Sequence, residues 1–543
     1  MNQLSLSLSR TWLTRIWATA ITISALAGTA PAVNAQEKVL RAVMHADVRT
    51  IDPMWTTQTI ASIHGMLIYD TLFGLDNDYV PKPQMVDTYT ISDDRKTYRF
   101  TLREGLRFHD GSPVTTKDVI ASLKRWGARD ASGQRLLSFT ETMAAENDKT
   151  FTLVLKEPYA LVLETLGKTI SSVPIIMREK EALVDPQQQI QEAVGSGPFK
   201  FAKDEWVPGS KTVYLKNADY VPRPGNEKAE GFAGSKIPKV DRIELLWMSD
   251  PQTAMSALIN GEIDFYESPS TDFIPMLMKA RNVKLFKSAN VDTDYGLIRL
   301  NHLHAPFNNE KARQAMYHFI KQEDFLRSVI GNPEFYRICH GLIPCGTKLA
   351  NDSGSAMMAD YNPKKGLEKL KEAGYKGEPI TLLHATDHHT IGPATQVLIQ
   401  ALREGGLNLD VQAMDWGSVV SLVGRRAKRE PPAQGGWNIF VTTASAIGAS
   451  NPVIHTWIGA ACDKGLFGWP CDAKIEELRN AYAFAATDPE RLRIARDLQA
   501  RAIEQVVYIP FGQWTQMRAY RSDRLDGIVP VGGVSVLWNI SKK

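Results

Sequence analysis

Apolar positions along the chain recur with two different periods, and each change of period marks an element. From Val39 an apolar strand leads to the turn Thr50-Ile51-Asp52-Pro53, after which residues 60–72 follow a helical pattern. Between 97 and 108 the period is two. Tyr98, Phe100 and Leu102, then Leu106 and Phe108, flank Glu104-Gly105, a pattern that predicts a hairpin with one buried side. Asp110-Gly111 is another tight turn. Beyond it, Thr115 with Asp118 three residues on forms a capping box for a helix over 119–126.

The middle of the chain repeats one theme, a strand followed by a helix with marked ends. Asp250-Pro251 starts a helix carrying Met255, Leu258 and Ile259 on one face; it stops at Gly261, and Glu262-Ile263-Asp264-Phe265 resumes a strand. The stretch 363–373, with Leu367, Leu370 and then Gly374, does the same. So does 394–404, ended by Gly405-Gly406 and followed by a strand over 407–414. Such alternation predicts an α/β fold of sheets covered by helices. A boundary is expected at 295–304, where a strand-like run gives way to Asn308-Asn309 and a helix with Ala312, Met316 and Phe319. A second crossing is expected at 506–512, after the helix bearing Leu492, Ala495, Leu498 and Ala502. Two crossings make one lobe discontinuous in sequence.

Composition adds the compartment. Arg10 and Arg15 precede an apolar run over 16–27, and Val33-Asn34-Ala35 offers small residues for cleavage, so residues 1–35 read as a secretory signal peptide cut after Ala35. The run is about a dozen residues where a membrane span needs roughly 20. No cysteine lies near this end to carry a lipid. The expectation is therefore a soluble protein of a Gram-negative periplasm.

Of 543 residues, 508 remain after residue 35, enough for more than one core at 43% hydrophobic content. Sixty-three basic against 60 acidic residues leave a formal charge of +3, spread without a basic stripe, which argues against a nucleic-acid partner. Four cysteines allow three pairings. The local ones, Cys339 with Cys345 and Cys462 with Cys471, are favoured in an oxidising compartment. A metal site competes for them, but neither pair has the two-residue spacing of a zinc knuckle.

Catalytic signatures are missing: the sequence has no Gly-x-Ser-x-Gly, no phosphate-binding Gly-x4-Gly-Lys-Ser/Thr and no His-Glu-x-x-His. Asp93-Asp94 reads as a solvated turn rather than an acid/base pair. The expectation is no enzymatic activity and no cofactor. His384-Ala385-Thr386-Asp387-His388-His389 is the densest group of possible metal ligands; satisfied histidines in a polar loop are the favoured reading and nickel or a metal chelate the alternative. His302 and His304 carry still less. Arg425, Arg426, Lys428 and Arg429 form either an anion contact or permease-docking surface or, as preferred, a solvated loop.

The ordered motifs Thr50-Ile51-Asp52-Pro53, Tyr69-Asp70-Thr71-Leu72, 98–105 (YRFTLREG), 108–115 (FHDGSPVT), 195–199 (GSGPF), 257–264 (ALINGEID), Arg313-Gln314-Ala315, Tyr361-Asn362-Pro363 and 372–375 (EAGY) resemble the extracellular solute-binding family 5. That family includes dipeptide-, oligopeptide- and nickel-binding proteins of ATP-driven importers. The resemblance implies a two-lobed periplasmic binding protein fold: hinged lobes, a ligand cleft between them and an extra subdomain in the first lobe. The corresponding division is 36–300 for lobe I, with the insert at approximately 81–197, then 301–507 for lobe II and 508–543 as a return segment. It further implies a monomer that takes up a small solute and docks on an inner-membrane permease pair with cytoplasmic ATPases.

Trp416 and Trp514 resemble family positions that line the cleft, and Thr57, Thr59, Thr443, Ala444 and Ser445 are expected beside them. Most other matching motifs are expected to be scaffold. In one segment the chain departs from the family. Peptide-binding members carry an aspartate that pairs with the peptide's amino terminus, within a stretch corresponding to 437–452; here that stretch contains no acid, and the next one is Asp463. An unpaired ammonium in a closed cleft costs several kcal/mol. The solute is therefore expected to be a non-peptide, an amino-blocked compound, or one held by a different acid.

Overall fold

The computed structural model describes residues 37–543 apart from 78–79, 160, 226–228, 288–292, 425–428, 486, 530 and 532–533. The expected signal peptide and its cleavage point, and Arg425, Arg426 and Lys428, lie outside the described residues. Residues 38–543 form one compact unit.

Two large mixed sheets organise it. The first has seven strands in the order Val283–Lys287, Met517–Arg521, Phe265–Tyr266, Val39–Val43, Arg242–Leu246, Lys211–Lys216, Phe199–Phe201. Val39–Val43 is central and parallel to both neighbours. It is covered by helices such as Pro251–Asn260, whose N-terminus is capped by Asp250 accepting from the Thr253 amide at 2.6 Å. That helix ends at Gly261, whose φ of 79° suits a residue without Cβ. The second sheet has six strands, ordered Tyr336–Arg337, Ile509–Thr515, Thr293–Leu300, Ile439–Ser445, Ile380–Ala385, Leu409–Met414. The long helices Ile391–Glu404 and Asp488–Gln505 belong to this half, each burying an apolar face.

A separate four-stranded antiparallel sheet, Val86–Ile91, Thr97–Leu102, Thr150–Leu155 and Thr140–Ala145 in spatial order, forms the extra subdomain. It corrects the expected hairpin over 97–108. Tyr98, Phe100 and Leu102 are buried as the alternation requires, but the strand pairs with 86–91 and 150–155 rather than folding back at Gly105. Leu106 and Phe108 reach the core from a loop. The capping box is present: Asp118 accepts the Thr115 amide at 2.8 Å at the start of Thr116–Arg129.

The strands do not change sheet at the two expected crossings. Thr293–Leu300 pairs with Ile439–Ser445 and Ile509–Thr515, so it belongs to the second sheet and not to 36–300. Ile509–Thr515 lies in that same sheet, and the chain returns to the first sheet at Met517. Only Gln516 separates the two strands.

The cysteines form the two local pairs, with sulfurs at bonding distance and Cα–Cα separations of 6.0 Å for Cys339–Cys345 and 4.1 Å for Cys462–Cys471. Gln513 anchors the first loop to the second sheet, accepting the Cys345 amide and donating to its carbonyl, both at 3.0 Å. Loops closed over 6 and 9 positions restrict the unfolded chain modestly. Replacing either pair by serine should therefore cost about 2–3 kcal/mol in denaturant unfolding. Four alkylatable thiols in the folded oxidised protein would overturn the pairing.

Candidate functional site

In open α/β sheets, side chains converge outside the carboxyl ends of parallel strands. Here that happens twice, face to face. Val39–Val43 and Phe265–Tyr266 run in parallel, with Val43 opposite Tyr266, so their ends deliver His45 and Glu267 side by side. His45 Nδ1 lies 2.6 Å from Glu267 Oε2, the His45 amide donates to the same oxygen at 3.1 Å, and Ser535 Oγ donates to Oε1 at 2.6 Å. Burial alone would push Glu267 toward its neutral form. His45, Arg518 and Ser535 prevail and hold it down to about 2. Burial likewise opposes charge on His45, yet the Glu267 carboxylate raises its pKa above the usual value.

In the second sheet, Ile380–Ala385 lies parallel to Leu409–Met414 and Ile439–Ser445. Their ends supply residues 386–390, Trp416, Thr443, Ala444 and Ser445. The antiparallel register sets Asp294 opposite both Ser445 and Trp514, which places the three on one face.

Between these two groups lies a cavity of about 630 Å³, within the range of small-molecule sites. All seven expected lining residues, Thr57, Thr59, Trp416, Thr443, Ala444, Ser445 and Trp514, border it. Sequence reasoning missed others that also do, among them His45, Glu267, Asp294 and Arg518, and Asp387, noted only as a possible metal ligand, joins them. Phe440, Trp457 and Phe467 add apolar walls. The acid-free stretch at 437–452 thus does not make the cavity acid-free, because carboxylates arrive from other strands.

Contacts tie the two halves together around the cavity. Arg49 Nη1 donates to Asp415 at 2.5 Å, and Arg135 of the subdomain donates to Glu476 at 2.7 Å and to Asn480. Ser268 Oγ sits 3.1 Å from His389 Nε2 and accepts from Gln516.

The histidine group divides. His388 and His389 border the cavity with rings stacked 5.2 Å apart, and His388 meets Trp416 edge-on at 5.5 Å. Burial keeps both neutral, His389 down to about 4 and His388 well below its usual value. His388 Nδ1 accepts the amides of Thr390 and Ile391 at 3.2 and 3.3 Å, which leaves its proton on Nε2. His384 is absent from the lining and lies 3.5 Å from the Gln396 amide. Among the described residues no three His, Cys, Asp or Glu side chains converge as metal ligands. His302 and His304 each contact a backbone carbonyl, of Val506 and Arg429. Arg429 pairs with Asp463 and lies 5.5 Å over the Trp469 ring.

The matching motifs sit in the frame. Asp52, fully buried, accepts from the amides of Met54, Trp55 and Ile190 and from Arg125 Nη2 at 2.7 Å. Asp70 accepts from Lys236 Nζ at 2.8 Å and Tyr220 Oη at 3.0 Å.

Two lobes, each contributing strand-end side chains to one cavity, define a receptor that holds a solute between them. Residues 80–460 match the family described as Bacterial extracellular solute-binding proteins, family 5 Middle, and the chain belongs to that family. It is 38% identical over 528 residues to a probable peptide ABC transporter periplasmic-binding protein of Sinorhizobium fredii, covering 96% of this chain and 97% of that protein. It is 26% identical over 509 residues to a glutathione-binding protein of Salmonella paratyphi A, covering 92% and 93%. Among solved structures, the binding protein AgaA of A. tumefaciens R10 in complex with agropinic acid superposes with a TM-score of 0.77 at 21% identity, covering 93% and 99%. The protein is a solute-binding protein of an ABC importer. Its family and relatives are binding proteins rather than enzymes, and such proteins deliver ligands to a permease.

Proposed function

We propose that the chain is exported to the periplasm, loses residues 1–35 and acts as a monomer without catalytic activity. It encloses one small solute in the cavity between its lobes and carries it to an inner-membrane permease pair driven by cytoplasmic ATPases. The observation that carries this reading is the 630 Å³ chamber bordered by strand ends of both lobes. Thr57 and Thr59 from one side, and Trp416, Thr443, Ala444, Ser445 and Trp514 from the other, contact the solute. The lobe division follows the sheets, with a hinge at Gln516. A solute touching both lobes stabilises the closed arrangement because it makes those contacts only there.

A thermal-shift screen against dipeptides, oligopeptides, glutathione, opines and nickel chelates tests it. A true solute at about 100 times its dissociation constant adds about 2.7 kcal/mol of stability. X-ray scattering should report a more compact particle with that solute than without it. Scattering that is identical with and without a bound solute would overturn hinge closure.

A further inference from the structure

Among the described residues, four carboxylates border the cavity, Glu267, Asp272, Asp294 and Asp387, beside Arg518 and beside His45, whose pKa the Glu267 carboxylate raises; burial holds His388 and His389 below the usual histidine value. Glu267 is matched by His45 at 2.6 Å. Asp294 and Arg518 each have interactions of their own. Asp272 stands exposed at the rim.

Asp387 differs from these. Its Oδ1 accepts the Trp416 amide at 2.7 Å, which fixes the carboxylate at the start of the helix Trp416–Gly424. No cationic side chain among the described residues pairs with it. It and Trp416 both border the cavity, and Trp416 is half-buried. Asp387 is partly exposed and its charge is met only by the helix amide, so it keeps acceptor capacity for a cation, and the Trp416 ring bordering the same cavity offers a second attraction.

We propose that this receptor selects solutes bearing an ammonium or guanidinium group, seated between the Asp387 carboxylate and the Trp416 ring. The inference rests on the reading of the cavity as the solute chamber. It supplies the acid that the 437–452 segment lacks, from a loop at the end of a different strand.

The test uses the exported protein purified under native conditions. It is equilibrated with a polar extract of yeast, desalted and denatured, and the released compounds are identified by mass spectrometry. The expected compound carries a basic nitrogen, and the isolated compound loses affinity on N-acetylation. Asp387→Asn should bind it about 30-fold or more weakly, the loss expected when one partner of an enclosed charge pair is removed. Asp387→Glu should recover part of the affinity, and the unfolding midpoints of both variants check that they fold. A retained compound with no basic nitrogen, or equal affinity in Asp387→Asn, overturns the assignment while leaving the chamber intact. Loss in Asp272→Asn with retention in Asp387→Asn would move the anchor to the rim and likewise overturn it. Failure to retain any compound would instead strike the chamber reading itself.

Discussion

Replacing Asp52 by Asn should destabilise the protein by about 3–5 kcal/mol, although Asp52 touches no solute. Its carboxylate is fully buried and surrounded by donors: three backbone amides and Arg125 Nη2, whose side chain is itself fully buried. An asparagine keeps the shape but lacks the charge and presents an NH2 group where only donors face it. The Arg125 guanidinium is left with carbonyls of Val184 and Gln188 as its remaining acceptors. Urea unfolding followed by tryptophan fluorescence checks this. A change below about 1 kcal/mol would show that the site relaxes around the amide. The solute affinity of the folded fraction should be unchanged, which separates frame from chamber.

Mild acid should unfold the protein well before its carboxylates protonate. His64 and His455 are fully buried, and burial pushes them down to about 4 and about 3. In the unfolded chain a histidine takes up a proton near pH 6.5. The stabilisation from holding these two neutral is therefore complete above about pH 6.5 and drains away as the pH falls toward 4. Each histidine loses up to roughly 3 kcal/mol over that interval. Two such losses are a large part of the roughly 5–15 kcal/mol typical of a folded domain. His45 has the opposite sign: its raised pKa adds stability that is present below about pH 6.5 and fades as the pH rises through the raised value. Stability measured at pH 7, 5.5 and 4.5 should fall at each step, and His455→Gln should flatten the decline. A value constant to about 1 kcal/mol across that range would contradict the account.

The elements most legible in the sequence were those written in local chemistry. Asp250-Pro251 with Gly261, and Asn362-Pro363, start and stop their helices where the caps require. What misled was pairing over distance. Thr293–Leu300 and Ile509–Thr515 are apolar runs that would suit either sheet; only the register between them shows that both belong to the second. Trp416 and Trp514 were reached through resemblance and five other positions were expected beside them; all seven border the cavity. His45 and Glu267 could not be found that way. They stand 222 residues apart and meet only because their strands are adjacent and parallel. Asp387 drew notice as a metal-ligand candidate because it sits between histidines in sequence, whereas its fixed contact is with the Trp416 amide.

The ties around the cavity also set a clock. If the lobes close on the solute as proposed, it leaves no faster than the contacts that join them part, among them Arg49 with Asp415 and Arg135 with Glu476 and Asn480. The opening rate is then a ceiling on release, and weakly held solutes of different intrinsic affinity converge on that one fastest rate. Arg49 and Asp415 are partly exposed, so salt screens their attraction and raises that rate. Arg135 is largely shielded, and its bonds are correspondingly less sensitive to salt. A permease that prises these contacts apart would thereby control when the cargo is free, independently of how tightly the chamber holds it.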